Sequence, residues 1–328
     1  METDLLKEFL LRFSNLHTDK NRHHWTSATG YRAPHKPFLL LSVLDLFAQG
    51  FFQANLIEIT PELGELFSKY WAIVMPSDWQ GNMALPFFHL RSSGFWHLIP
   101  KPGQESLLES TRQVDTLSQL QRLILGAKCD ENLFAILQVE ETRNILRTAL
   151  IETYFASEYH PALLAQGSVN LQSYLYSQQL IQKVQRKVTE SSSLNDQYQT
   201  NIRDQGFRRA VVKVYDHRCA FCGVRMLSAD GHSAVDAAHI VPWSISHNDD
   251  PRNGMALCRL CHWTFDEGMI SVSEKYTMLL SSELRIALNI PGHLLTLESR
   301  PILGPMEQTF MPDLDSLSWH RHNIYRAS

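Results

Sequence analysis

The chain has 328 residues and a formal net charge of −4, with 44% hydrophobic and 20% charged residues. This length suits two domains, and the composition excludes collagen-like, low-complexity and wholly disordered proteins. A protein that binds nucleic acid indiscriminately is strongly basic, so the charge balance confines any DNA contact to local patches. The start of the chain shows no secretory signal pattern, and Ser42 and Asp45 interrupt its longest apolar stretch. We therefore expect a cytoplasmic protein without a membrane span.

Apolar residues at helical spacing predict three helices in the first third of the chain. The first covers residues 5–16, and the second covers residues 37–49, with proline in its first turn and Gly50 as its stop. Thr60 followed by proline predicts the start of the third helix. These patterns indicate a largely helical N-terminal region.

Short aromatic runs and a further periodic stretch follow. Residues 86–90 and 95–99 predict two strands of a β-hairpin around a turn at residues 91–94. Helical periodicity returns over residues 116–165, with an expected end near Pro161. The N-terminal region is therefore predicted to mix helices with a small sheet.

The composition then shifts to Gln, Ser, Lys and Asn, and residues 189–196 are the best candidate for a linker. We divide the chain into a domain at residues 1–165, a partly helical linker at 166–200 and a second domain at 201–328. The second domain contains the strongest motifs.

Four of the five cysteines form two Cys-x-x-Cys pairs, a spacing typical of zinc ligands: Cys219, Cys222, Cys258 and Cys261. A site closed by four thiolates has no open position for a substrate, so we expect a structural Zn²⁺ ion. The 35 residues between the pairs exceed the usual spacer of a zinc finger, so a small subdomain must fit between them. Four reduced, buried cysteines are the alternative. Cys129 lies outside the pattern and is expected in a core.

Between the cysteine pairs, residues 235–243 predict a strand that ends at a proline and contains His239, and Asn253 and His262 follow. This order resembles the HNH endonuclease family, which has a ββα-metal fold flanked by zinc knuckles. The resemblance covers residues 207–275, and the sequence WHRHN near the C-terminus also resembles the ends of bacterial HNH proteins.

The resemblance implies a catalytic role for each of these residues. His239 is the expected general base, since a neutral imidazole with a pKa of about 6.5 accepts a proton from water. His262 is expected to hold a divalent ion such as Mg²⁺ or Mn²⁺, and Asn253 to tie the loop that orients both groups. Many family members carry Asp or His directly before the base, where this chain has Ala238. Asp236, on the same strand face as Ala238, is the candidate second ligand.

Three alternatives stay open at this site. Asp236 could instead brace the hairpin, the ion could have one protein ligand, or the nuclease could be inactive. Arg208 and Arg209, on a predicted helix at residues 202–215, suit contacts with the DNA backbone. A solvated helix face is the alternative for these two arginines.

Two windows without acidic residues, 20–44 and 79–104, indicate positive patches in the N-terminal domain. Within them, APHKPFLLL at residues 33–41 and LPFFHL at 85–90, followed by GFW, resemble the sulfur-binding domain of phosphorothioate-dependent restriction endonucleases. The resemblance covers residues 15–165. It implies a set of residues that bind the modified DNA: Tyr31, Arg32, His35, Lys36, Leu85, Pro86, His89 and Arg91. Two ordinary basic loops are the alternative from composition alone.

The chemistry of sulfur explains how these residues would distinguish modified from unmodified DNA. Sulfur in place of a non-bridging phosphate oxygen keeps the charge but is larger and a poorer hydrogen-bond acceptor. An apolar notch of Leu85, Pro86 and the body of His89 would penalise oxygen, which loses its water there, more than sulfur. His35 and Lys36 would hold the remaining anionic oxygen, and Arg91 would reach a neighbouring phosphate or base.

The sequence therefore predicts an α+β protein in which a mixed, mainly helical DNA-binding domain is joined by a helical linker to a zinc-stapled HNH domain. We expect a modification-dependent restriction endonuclease that binds phosphorothioated double-stranded DNA. A homodimer is expected, because cutting both strands requires two nicks. One alternative is an HNH endonuclease that recognises another mark, such as methylcytosine. The other is a non-catalytic, zinc-stabilised DNA sensor.

Overall fold

The computed structural model describes residues 2–79, 81–186, 199–228, 232–286 and 288–327. Within these ranges, no helix is both long enough and apolar enough to span a membrane. The predicted linker at 189–196 lies outside the described residues.

The chain divides into two compact units, each with its own hydrophobic core. The first unit holds Met1–Leu171 and Ser228–His232, and the second holds Gln172–Leu227 and Ser233–Ser328. One continuous helix, His160–Gln185, runs through the boundary between the two units.

The first unit consists of helices with one two-stranded antiparallel sheet. Its helices are α1 Glu2–Ser14, α2 His35–Ala48, α3 Pro61–Val74, α4 Ala84–His89, α5 Glu105–Ser110, α6 Leu117–Leu123, α7 Glu131–Gln138, α8 Glu140–Tyr154 and α9 His160–Gln185, which continues into the second unit. Its strands are β1 Trp96–Pro100 and β2 Ile124–Cys129, which pair with each other. Cys129 is buried in this core, as expected.

Helix α2 forms the centre of the first unit. All of its residues from Lys36 to Phe47 are buried, and it packs against α3, α4, α7 and α8. A helix that is apolar on every side must be surrounded by other elements, which explains its central position. Gly50 follows α2 with φ +67°, a left-handed conformation that glycine adopts without strain.

The predicted hairpin at residues 86–90 and 95–99 is wrong. Residues 84–89 form α4, a 3₁₀ turn follows, and β1 pairs instead with β2 from a later part of the chain. Pro86 sits in the first turn of α4, where a missing N–H costs no hydrogen bond. Burial of its aromatic residues therefore outweighs their strand propensity.

The expectation of continuous helix over residues 116–165 is also wrong. Strand β2 interrupts it, and Pro161 lies in the first turn of α9 rather than at the end of a helix. A proline is compatible with the end of one helix or with the first turn of the next. In the first turn its missing N–H leaves no hydrogen bond unmade, because the N–H groups there have no partner within the helix.

The second unit has mixed secondary structure built around two antiparallel strands. Its elements are α10 Thr200–Val214, β3 Val235–His239, α11 Trp243–Ser246, β4 Gly254–Cys258, α12 Arg259–Asp266, β5 Ile270–Val272, β6 Met278–Leu280 and α13 Leu314–Asn323. Strands β3 and β4 pair with each other, α12 follows β4 directly, and α10 packs on both strands. The predicted α+β class with a ββα module is confirmed.

A buried ion pair connects α2 to α8 inside the first unit. Asp45 Oδ1 lies 2.7 Å from Arg147 Nη1, and both side chains are almost fully buried. Tyr70 and Asn170 donate hydrogen bonds to Asp45 Oδ2 at 2.9 and 2.6 Å. Burial raises the pKa of Asp45, and the neighbouring Arg147 guanidinium opposes that rise. The pair therefore depends on both partners being present.

Replacing Asp45 with alanine should leave the Arg147 guanidinium buried without a countercharge. We expect the free energy of unfolding of the first unit to fall by about 3–5 kcal/mol in urea denaturation. The double variant Asp45→Leu with Arg147→Met removes both charges and should be less destabilised than Asp45→Ala. As a control, Glu65→Ala breaks the half-buried pair with Lys69, one turn apart on α3, and should change stability by less than about 1 kcal/mol. Equal stability of Asp45→Ala and Glu65→Ala would contradict this role.

Candidate functional site

The four paired cysteines of the second unit converge on one point. The Sγ atoms of Cys219, Cys222, Cys258 and Cys261 all lie within 4.8 Å of one another, and those of Cys222 and Cys258 are 3.7 Å apart. Zn–S bonds of about 2.3 Å in a tetrahedron place sulfur atoms about 3.8 Å apart. The donor set and its spacing therefore fit a tetrahedral zinc ion.

Backbone hydrogen bonds shape the turn that holds the first pair. The N–H of Gly223 donates to the carbonyl of Cys219, and the N–H of Cys219 donates to the carbonyl of Val224, at 3.0 and 2.9 Å. Gly223 has φ +76°, which closes this tight turn. The N–H of Ala220 donates to the carbonyl of Ala256 at 2.8 Å, so the turn is fixed to β4.

The second pair lies at the junction of β4 and α12. Cys258 ends β4, and Cys261 lies in the first turn of α12, where a spacing of three residues places both side chains on one side. His262 follows Cys261 directly, so the cysteine cluster also fixes the start of the helix that carries this histidine.

His239 and His262 line the same cleft, of about 370 Å³, in the second unit. Trp243 and Asp266 line it as well. His320, from the WHRHN segment, also contributes to its wall, but this side chain is buried against Phe265 with ring centroids 3.7 Å apart. Burial lowers the pKa of His320 to about 4, so it is neutral at pH 7.

His239 is held from two directions at the end of β3. Its ring stacks on Phe207 with centroids 3.8 Å apart and an angle of 10° between planes. Its Nε2 lies 2.9 Å from Oδ1 of Asp249, a buried carboxylate in the loop after β3. Gly254 pairs with His239 across the sheet, and a Cβ there would lie 2.8 Å from Phe207. Glycine at this position therefore lets Phe207 reach the imidazole.

Asn253 closes the loop between β3 and β4. Its Oδ1 accepts a hydrogen bond from the N–H of Val241, and its Nδ2 donates to the carbonyls of Val241 and Asn248, all at 3.0 Å. The side chain is buried, so these bonds satisfy both ends of its amide. The contacts are those needed to hold the loop after His239 in place.

His262 is accompanied by a carboxylate one helical turn later. Its Nε2 lies 3.4 Å from Oδ2 of Asp266, and both side chains line the cleft. Burial raises the pKa of Asp266. An imidazole and a carboxylate on one helix face are suitable ligands for a divalent ion.

Asp236 and the two candidate backbone-binding arginines are placed elsewhere. Arg208 Nε lies 2.8 Å from Asp236 Oδ1, and Asp236 is not among the residues that line the cleft. The Arg209 guanidinium lies over the ring of Tyr174, 4.9 Å from its centroid. The ion pair between Asp236 and Arg208 matches the alternative in which Asp236 braces the hairpin against a neighbouring helix.

In the first unit, five of the eight predicted DNA-binding residues line one pocket of about 420 Å³: His35, Lys36, Leu85, Pro86 and His89. They come from the start of α2 and from α4, so the two motifs identified in the sequence meet here. Trp25 also lines the pocket, and its ring contacts that of His35 edge-on at 5.4 Å.

Burial controls the charges at this pocket. It lowers the pKa of His35 to about 4 and that of Lys36 to about 8. The pKa of His89 is lowered by burial and by the nearby charges of Lys36 and Arg91. At pH 7, Lys36 is therefore the cation of the pocket wall, and His35 is neutral.

The other three predicted residues do not line this pocket. Tyr31 is 42% exposed and Arg32 points toward the ring of Tyr154, at 5.8 Å from its centroid. Arg91 lies over the ring of Phe88 and donates a hydrogen bond to the carbonyl of Thr111 at 2.9 Å. Their contact with DNA remains a prediction.

Sequence reasoning missed two residues that the structure places beside the histidines. Asp266 was detectable, because the helix of the ββα fold implied by the resemblance would place it on the same face as His262, four residues earlier. Asp249 carried no such signal, since it lies in a polar loop whose path is set by contacts rather than by a repeating pattern.

Replacing Cys258 with serine should remove one of the four zinc ligands. Structural zinc contributes about 10–16 kcal/mol of binding free energy in small modules, more than a domain's own stability. We therefore expect zinc content to fall and the second unit to lose its unfolding transition, measured by metal analysis and circular dichroism. Cys129→Ala, outside the cluster, should keep its zinc. Normal zinc content in Cys258→Ser would contradict a four-thiolate site.

Comparison with known proteins assigns both units. The family model of the ScoMcrA-like DNA sulfur-binding domain matches residues 7–173, and the HNH endonuclease model matches residues 219–273. No curated protein matches the chain. Among solved structures, a "Modification dependent TagI restriction endonuclease" is 24% identical, with a TM-score of 0.27. That match covers 37% of this chain and 38% of the other, so the chain spans well under half of that protein.

Both resemblances predicted from the sequence are confirmed by these family models. The first match covers half of the 328 residues. The chain therefore belongs to the ScoMcrA-like DNA sulfur-binding domain family and carries an HNH endonuclease domain in its second unit.

Proposed function

We propose that this protein is a restriction endonuclease that binds phosphorothioated DNA through its sulfur-binding domain and hydrolyses phosphodiester bonds with its HNH domain. The observation that carries the proposal is the cleft shared by His239 and His262, in a chain whose other domain belongs to a sulfur-binding family. Phosphodiester hydrolysis requires a base for water and a group that neutralises the phosphate, and the cleft offers both.

His239 would accept the proton of the attacking water. Its ring is held on Phe207, and it remains 21% exposed, so a water in the cleft can reach it. Asn253 would keep the loop after β3 closed, so that the imidazole keeps one position relative to α12. The zinc ion that the four cysteines would hold stabilises this arrangement and has no open position for DNA.

His262 and Asp266 would hold the catalytic Mg²⁺ or Mn²⁺. A divalent ion in such a site neutralises charge on the phosphate and the leaving oxygen. Mg²⁺ commonly keeps several waters and binds through one or two protein groups together with substrate phosphates. Two protein ligands on one helix face are therefore sufficient, and they take the place that Asp236 was expected to fill.

The pocket at α2 and α4 would receive the modified linkage. Leu85 and Pro86 offer an apolar wall on which sulfur loses less solvation than oxygen. Lys36 supplies the positive charge for the anion. His35 is neutral at pH 7, so it would donate a hydrogen bond or offer its ring face rather than a charge.

Cutting both strands of a duplex requires two nicks, so we propose that the protein acts as a homodimer. A nuclease for cellular DNA that relies on thiolate ligands would work in the cytoplasm, where thiols stay reduced.

Cleavage of phosphorothioated plasmid tests the proposal. With Mn²⁺ or Mg²⁺ present, the wild-type protein should cut phosphorothioated plasmid, and it should leave ordinary plasmid intact. His239→Ala should lower the rate by about 10²- to 10⁴-fold, the usual contribution of a general base, with DNA binding in a gel-shift assay unchanged. His322→Ala, an exposed histidine on α13, should cut like wild type.

Other outcomes would select a different function. Cleavage of methylated but not phosphorothioated DNA would identify another mark, and equal cleavage of all plasmids would remove the specificity. Binding without cleavage under every divalent ion would indicate a DNA sensor.

The pH dependence of binding tests the role of Lys36. Burial lowers its pKa to about 8, so the ammonium group loses its proton as the pH rises through that value. Since the DNA is an anion, affinity for phosphorothioated duplex should fall by roughly tenfold between pH 7 and 9, measured by fluorescence anisotropy. Lys36→Arg keeps its charge over this range and should show a flat profile. Parallel profiles for wild type and Lys36→Arg would contradict the role.

A further inference from the structure

A buried carboxylate stands directly behind the proposed general base. Asp249 is 2% exposed, and its Oδ1 lies 2.9 Å from Nε2 of His239. An ionised carboxylate can only accept a hydrogen bond, so Nε2 must carry the proton and donate it. In a neutral imidazole with Nε2 protonated, Nδ1 is the nitrogen with a free lone pair. The contact therefore selects which nitrogen can accept a proton from water.

Two further side chains hold Asp249 in this position. The hydroxyl of Tyr176 donates a hydrogen bond to Asp249 Oδ2 at 3.0 Å, and Arg203 Nε lies 3.5 Å from the same oxygen. The Arg203 guanidinium lies 3.6 Å from the ring centroid of Trp243, which lines the cleft. Both oxygens of the buried carboxylate thus have a neighbour, and Arg203, whose Nη2 also pairs with Asp204 at 2.6 Å, places a positive charge beside Asp249.

The plane of the imidazole is fixed by a separate contact. Phe207 stacks on His239 nearly parallel and so fixes the plane of the imidazole, while the hydrogen bond to Asp249 fixes which edge of the ring faces that carboxylate. Arg203 and Phe207 stand four residues apart on α10, so one helix supports both the carboxylate and the ring. A residue that only anchored the loop to α10 would not need to contact His239.

We propose that Asp249 is a positioning residue that keeps His239 in the tautomer with Nδ1 free, and that Tyr176 and Arg203 hold Asp249 for this purpose. The inference rests on the proposed nuclease function. It adds a carboxylate–imidazole pair to the His–Asn–His set, in which Asp249 contacts His239 and is not among the residues that line the cleft.

The tautomer of His239 can be measured directly. Long-range ¹H–¹⁵N NMR spectra of the full-length, zinc-loaded protein distinguish the two neutral tautomers, and a His239→Gln spectrum assigns the signals. We expect wild-type His239 to carry its proton on Nε2. A proton on Nδ1 would overturn the inference without any variant being needed.

Asp249→Asn then tests the consequence for the reaction. An amide can present either its oxygen or its NH₂ group to Nε2, so both tautomers become populated and kcat on phosphorothioated plasmid should fall by about 10- to 100-fold. DNA affinity should not change. Asp250→Asn is the matched control, because this neighbouring carboxylate pairs with Arg252 instead, and it should keep both the wild-type spectrum and kcat.

A second variant covers the case in which Asp249→Asn does not fold. Tyr176→Phe removes only the hydroxyl on Asp249 and should lower kcat by a smaller factor while the protein stays folded. Wild-type kcat and spectrum in both Asp249→Asn and Tyr176→Phe would overturn the inference and leave the nuclease proposal intact. A wild-type protein that cuts no DNA while showing the Nε2 tautomer would instead overturn the nuclease function, and with it the catalytic purpose of Asp249.

Discussion

The cluster of four cysteines constrains everything else in the second unit. The segment between Cys219 and Cys261 contains both paired strands of the ββα module, and its two ends meet at one point. His239 ends β3 inside this segment, and His262 directly follows its last cysteine. A metal ion at the cluster would therefore set the distance between the two sides of the cleft without taking part in the reaction.

Within that frame, the histidine at position 239 is oriented by contacts that no short motif describes. A flat aromatic ring sets its plane, a buried carboxylate contacts one of its nitrogens, and a buried amide at Asn253 closes the adjoining loop. Each of these groups comes from a different part of the chain. Position 238, directly before the proposed base, is alanine in this chain. Asp266, one turn after His262, lines the cleft, so the cleft still contains a carboxylate.

Burial also determines the properties of the pocket in the sulfur-binding domain. Its wall combines apolar surface from Leu85 and Pro86 with one desolvated ammonium group at Lys36. Burial that lowers the pKa of Lys36 also strengthens its interaction with any anion that enters, because less water screens the charge. The same burial removes the charge of His35. Discrimination between sulfur and oxygen would then rest on the apolar wall, and Lys36 would attract the anion.

The sequence by itself determined the parts that depend on local spacing. The paired cysteines, the order of His239, Asn253 and His262, and the two N-terminal motifs are patterns along the chain, because ligand geometry and helix periodicity act over a few residues. Both family assignments followed from them. Helices α1 and α3 were predictable for the same reason, and α2 was predictable from its first-turn proline and the glycine that follows it.

Only the tertiary structure decided the elements and contacts that join distant residues. The segment around Pro86 became a helix, and β1 found its partner in β2, because burial in the first core outweighs local propensity. Asp236 pairs with Arg208, and Asp249 contacts His239, because the strand and the loop that carry them are positioned by packing. Side-chain type and spacing indicate which groups can do chemistry. Which of them meet depends on the fold, since contacts across a core leave no period in the sequence.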